Sequence, residues 1–145
     1  ILDGIEDPHN LGSILRAAEC AGAHGIVIPK RRAVGVNGTV VKVSSGAAQH
    51  VKVAAVNNVN DTIRMLKQDF VKVYCADMKG DVMYDVDMTD DTAIVIGSEG
   101  FGVKALTSSL CDSAVSIPQS GKVNSLNASV ACGILCYELI RQRLN

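Results

Sequence analysis

The chain has 145 residues, of which 48% are apolar, enough to bury the core of one domain. Its charges nearly cancel at net −1, so the chain as a whole is drawn neither to nucleic acid nor to a membrane surface, and any site for a polyanion has to be local. Aromatic residues make up 3% with no Trp, which argues against recognition of bases by stacking on several rings.

Ile1-Leu2 reads as strand from the first position, and residue 1 is not Met; the expectation is a domain cut from a larger protein. Leu11, Ile14, Leu15 and Ala18 recur at i, i+3, i+4 and i+7 and predict an amphipathic helix over about Leu11–Ala21. Asn10 is placed to cap it and Gly22 to end it in a left-handed conformation. On a wheel of roughly 100° per residue Arg16 lies opposite the apolar stripe, and taken alone it is a solvated surface cation. Gly25–Ile28 predicts a strand, and the basic cluster Lys30-Arg31-Arg32 follows, joined by Lys42. A helix over Thr39–Ser44 is weakened by its β-branched residues.

Strands are predicted at Val51–Ala54, Val71–Ala76, Ala93–Ile96 and Ala114–Ile117, and helices at Asp61–Gln68, Lys104–Leu110 and about Asn127–Arg143. The strand runs are short and continuous rather than alternating, as in strands buried on both faces of a parallel sheet. No repeat, low-complexity tract or linker interrupts them, so the fold class is α/β: one domain, with a mostly parallel sheet flanked by helices. Cys20, Cys75, Cys111, Cys132 and Cys136 form no CxxC and no His-paired spacing. They read as small buried hydrophobes in a reducing cytoplasm, and no metal is expected. No apolar run approaches membrane-spanning length, and no signal peptide is visible.

Two loops carry more polar groups than turning the chain requires. "AIVIGSEGFG" ends a strand with Gly97 and then offers Ser98, Glu99, Gly100 and Gly102 before a helix. Its spacing is GxxGxG, so neither a dinucleotide fingerprint nor a phosphate-binding loop fits. "IPQSGKVNSLNASVACGILCYE" likewise runs from a strand into a helix, with Asn124, Ser125 and Asn127 crowded at its centre. Asn127 or Ser125 would cap that helix, and one cap suffices, which leaves the other polar residues to be explained. Two such loops at neighbouring strand ends would form one crevice able to grip a flat heterocycle, with Ile117 and Leu126 closing over it.

Together with "DPHNLGSILRAAE", these two stretches resemble the three motifs of the SpoU/TrmH family of RNA ribose 2′-O-methyltransferases, in order and spacing over essentially the whole chain. The stretch from Gly22 to Val51 further resembles the bacterial branch that methylates a guanosine ribose in large-subunit rRNA. The resemblance implies S-adenosylmethionine as cofactor, bound bent within a C-terminal deep trefoil knot, and a homodimer with its active site near the interface. It also implies residues 1–145 as the catalytic domain, without the N-terminal RNA-binding domain that such relatives carry.

Gly97, Ile117 and Leu126 match the positions that hold the cofactor, and Gln119 stands where Met is usual, a change tolerated if that position acts through its main chain. Asn10, Arg16, Glu99, Ser125 and Asn127 match the polar positions of the reaction centre. The family's proposed base is Arg16, yet an arginine is effectively always protonated. Stabilising phosphate and developing alkoxide charge is therefore the favoured role, with that of base left open. The basic cluster would supply phosphate contacts. Competing readings are a tRNA ribose 2′-O-methyltransferase, a non-catalytic RNA-binding member of the fold, and a small-molecule-binding regulatory domain; the five retained polar residues favour the enzyme.

Overall fold

A computed structural model describes residues 1–144. Six strands and five helices follow in the order β1 Leu2–Asp3, α1 Pro8–Cys20, β2 Gly25–Pro29, α2 Gly38–Val43, β3 Lys52–Val56, α3 Val59–Gln68, β4 Lys72–Val82, β5 Thr92–Gly97, α4 Ala105–Leu110, β6 Ser113–Ser116 and α5 Ala128–Arg143. Short 3₁₀ turns sit at Ala47–Gln49 and Met83–Asp85.

Every pairing between these strands is parallel. One sheet has the order β1-β5-β4-β6, and β2 and β3 form a second ladder that lies beside β1. Parallel strands put all their carboxyl ends on one edge, and β1 and β5 are neighbours there although 93 residues separate Ile1 from Ile94, whose carbonyl accepts from the Ile1 nitrogen at 2.8 Å. The loops leaving β1, β5 and β6 therefore share that edge, where open α/β sheets bind ligands; β5 and β6 are not the neighbours expected, because β4 pairs between them.

The α/β expectation holds, with differences that have physical causes. Strand β3 was expected to be buried on both faces, yet Lys52, Ala54 and Ala55 are exposed. It pairs only with β2, and its small apolar residues tolerate an edge. Strand β4 continues beyond Ala76, because Asp81 and Val82 pair with β6 again after a bulge. Gly80 permits this approach, since a β-carbon there would lie 2.4 Å from the Ala114 carbonyl carbon. The cysteine expectation fails at Cys20, which is exposed near the end of α1.

The main core packs α1 and α5 on the sheet through Leu11, Ile14, Leu15, Ala18, Cys132 and Leu135. At its far end α5 is pinned by a polar network around the buried Glu138. Arg141 donates to both oxygens of Glu138 at 2.8 Å, and Gln142 donates to Glu138 and to the Val86 carbonyl at 2.8 and 2.9 Å. Among the described residues no buried side-chain nitrogen or oxygen lacks a partner. No helix there is long and apolar enough to cross a membrane.

Candidate active site

The helix that carries the first motif begins earlier than its apolar stripe. Asp7, not Asn10, is the N-cap: its carboxylate accepts from the His9 N–H at 2.8 Å, and Pro8 opens the first turn. Proline at that position has no N–H to lose and its φ is already helical, so the Asp-Pro pair was the start signal to read. The correction has a consequence for the site, because Asn10 is left with a free side chain inside the first turn. Gly22 ends the helix with φ +74°, as expected.

Two features fix the loop after β5. Gly97 lies under the backbone of Gly102 and Val103, where a β-carbon would come within 2.0–2.3 Å of main-chain atoms. Asp3, 4% exposed on β1, accepts from the Lys104 N–H at 3.1 Å and so holds the loop's far end. Between them Gly100 and Gly102 take φ values of +85° and +67°, and the Gly102 N–H closes the turn on the Ser98 carbonyl at 2.8 Å. This clamped turn projects Glu99 across the edge of the sheet.

Glu99 is where the three motifs meet. Its Oε1 accepts from Asn127 Nδ2 at 2.7 Å, from Asn10 Nδ2 at 3.3 Å and from the Ala128 N–H at 3.3 Å. Asn127 Nδ2 also donates to Asn10 Oδ1 at 3.0 Å, which closes a triangle of side chains on three elements. Asn127 is at the same time the N-cap of α5, its Oδ1 accepting from the Ser129 and Val130 N–H groups. The capping role and the site role thus fall on one residue, and Ser125 is left free.

The remaining candidates lie around the triangle rather than in it. Arg16 is exposed, and its Nη1 donates to Ser45 Oγ at 3.3 Å, with no hydrogen bond to Asn10, Glu99 or Asn127. Ile117 is half-buried just beyond β6; Gln119, Ser125 and Leu126 belong to an exposed stretch. From Pro118 to Leu126 no backbone or side-chain group has a hydrogen-bond partner among the described residues. Val123 and Leu126 in that stretch are 79% and 37% exposed. A loop with unpaired amides and open apolar side chains suits a ligand held by backbone and apolar contacts. Lys30, Arg31, Arg32 and Lys42 are all exposed, Arg32 in a left-handed conformation with φ +56°.

The sequence reasoning missed Asp3, Asp7 and Ser45. Only Asp7 carried a local signal. No group of three or more His, Cys, Asp or Glu side chains is gathered as metal ligands would be, among the described residues.

The sequence model of the SpoU rRNA Methylase family matches residues 1–137. The 23S rRNA (guanosine-2′-O-)-methyltransferase RlmB of Ralstonia nicotianae is 49% identical over 144 residues, covering 99% of this chain and 58% of the relative. The enzyme of the same name from Escherichia coli K12 is 44% identical over 144 residues, covering 99% and 59%. The SpoU methyltransferase AviRb of Streptomyces viridochromogenes, solved in complex with the cofactor AdoMet, superposes with a TM-score of 0.91 at 31% identity, covering 99% of this chain and 59% of that one. The chain spans about three fifths of the length of these curated relatives.

Proposed function

The chain belongs to the SpoU rRNA methylase family, and from that premise we propose that it serves S-adenosylmethionine-dependent methyl transfer to a ribose 2′-hydroxyl of RNA, a guanosine in large-subunit rRNA. The observation that carries this reading is the convergence of Asn10, Glu99 and Asn127, drawn from three distant motifs, on a single carboxylate oxygen. A member of the fold that only bound RNA would have no chemical need for that triangle. The name shared by the Ralstonia and Escherichia relatives supports the rRNA guanosine.

When bound, the cofactor supplies an activated methyl group together with its leaving group. The protein's task is then to orient the ribose oxygen and to manage charge. In this reading Gly97, Ile117, Leu126 and the main chain at Gln119 hold the cofactor. Asn10 and Asn127, fixed by Glu99, position the nucleotide, and the free Ser125 hydroxyl meets the ribose. Arg16 acts as a permanent cation that binds the adjacent phosphate and stabilises the developing alkoxide while the hydroxyl proton passes to solvent water.

The reading extends to architecture. A deep trefoil knot at the C-terminal segment is what the family resemblance implies, and the bonds of Asn127 to Glu99 and Asn10, which draw that segment against the first two motifs, are compatible with it. A homodimer is supported by the exposed apolar residues Val123, Val130 and Tyr137 of the last loop and helix. Further RNA-binding surface in an additional N-terminal domain is supported by net charge −1, which leaves few phosphate contacts here, and by the greater length of the relatives. The site of action is the cytoplasm. Mapping 2′-O-methylation across rRNA from a strain lacking the gene tests the function: one guanosine mark should vanish, and an unchanged map would reject the rRNA substrate.

A further inference from the structure

Arg16 is the only proposed reaction-centre residue whose side chain is held from outside the three motifs, and the way it is held is built into the α1–α2 contact. Gly12 and Arg16 are one helical turn apart on α1, so they share a face. A β-carbon on Gly12 would come within 2.7 Å of Val43 Cβ and 3.1 Å of the Val40 carbonyl, so α2 sits directly on that turn. The chain leaving α2 is then locked. Ser44 is fully buried; its hydroxyl donates to the Val41 carbonyl at 2.8 Å and accepts from the Ala48 N–H at 3.2 Å.

The next residue is held in a conformation it does not favour. Ser45 takes φ +53° and Gly46 φ +89°, a left-handed pair in which only the glycine is free of steric cost. That turn presents Ser45 Oγ to Arg16 Nη1 at 3.3 Å. We propose that Ser45 is a positioning residue for methyl transfer: the strained turn ending α2 orients the Arg16 guanidinium before RNA arrives. This rests on the role given to Arg16 above.

The chemistry of the acceptor fits such a task. An exposed arginine otherwise samples many rotamers, and fixing it in advance removes that cost from the reaction. A hydroxyl takes one of five N–H donors and leaves the rest for a phosphate and a developing alkoxide. Being neutral, it also leaves the positive charge available, which a carboxylate at position 45 would not.

The test uses the protein in its natural length, labelled with ¹⁵N, with the Arg16 Nε–H signal identified by its loss in Arg16→Lys. Relaxation should report an ordered Nε in the wild type and a mobile one in Ser45→Ala. Ser45→Asn should restore order, because asparagine tolerates the left-handed region and offers an amide oxygen. With unmodified transcribed large-subunit rRNA and tritiated S-adenosylmethionine, Ser45→Ala should lower kcat about tenfold, the worth of one hydrogen bond to a charged group, with cofactor affinity unchanged. Ser45→Gly relieves the backbone, so its Tm should rise by about 3 °C while its kcat falls as for alanine, parting activity from stability. An Arg16 Nε as mobile in the wild type as in Ser45→Ala overturns the proposal, and so does a Ser45→Ala kcat within about twofold of wild type. If the wild type transfers nothing to this RNA, the assigned function fails, while the relaxation data still decide whether Ser45 orders Arg16.

Discussion

Adding one methyl group at Gly97 should disable the site without touching any polar residue in it. A β-carbon there would stand 2.0 Å from the Gly102 carbonyl carbon, 2.2 Å from the Val103 nitrogen and 2.3 Å from the Gly102 oxygen. All three are main-chain atoms, so no side chain can swing aside. Restoring ordinary contact requires the turn to rise by about 1.4 Å or β5 to sink by as much. The Asp3–Lys104 bond resists the first movement, and the pairing of Gly97 with Asp3 resists the second. Overpacking of this kind costs about 1–3 kcal/mol, and backbone on both sides puts Gly97→Ala at the upper end. For a domain of this size about 3 kcal/mol lowers Tm by roughly 6–12 °C. The same shift carries Glu99 off Asn127 and Asn10, whose bonds of 2.7 and 3.3 Å do not survive a displacement above about 1 Å. Thermal melts and calorimetric titration with S-adenosylmethionine check both effects. Gly100→Ala is the control, since nothing lies within 4 Å of a β-carbon there and only its φ of +85° is strained; it should cost about 1 kcal/mol. A Gly97→Ala protein that melts with wild type and binds cofactor equally well would refute the clamp.

Arg16→Ala should leave cofactor affinity unchanged in calorimetry and lower methyl transfer about 100- to 1,000-fold, because the Arg16 guanidinium hydrogen-bonds to Ser45 and to neither loop assigned to the cofactor; parallel losses of both would merge the two roles. Asn127→Asp keeps a good helix cap but sets a second carboxylate at the 2.7 Å contact with Glu99, so turnover should collapse more than stability does, read by melts beside single-turnover assays. Hydrogen bonds from Arg141 hold the Glu138 carboxyl below the usual range, against the opposing effect of burial and with help from Gln142. A depressed carboxyl contributes stability above its unfolded pKa and loses it as pH falls through the folded value. Wild type should therefore lose more Tm than Glu138→Gln between pH 7 and about pH 3, and equal losses would show that the pair is not linked to folding.

The alternation of apolar runs with an i, i+3, i+4, i+7 stripe was enough for the α/β class, because parallel strands and amphipathic helices carry their burial pattern in local sequence. Capping is equally local, and it was legible at Asn127, whereas the Asp7-Pro8 start signal was passed over for Asn10. The site residues were legible through the motif resemblance, yet their contacts were not. Nothing in the chain order says that Asn10, Glu99 and Asn127 share one oxygen, since the β1–β5 pairing that brings the first two together joins residues more than ninety positions apart. The strand runs misled at β3, where the same apolar composition serves an edge, because which strand ends a sheet depends on pairing and not on hydropathy. Ser45 and Asp3 were invisible for a related reason. A serine in a left-handed turn and a buried aspartate matter here only through what lies across from them, and partners are set by how helices and strands dock, which no window of sequence contains.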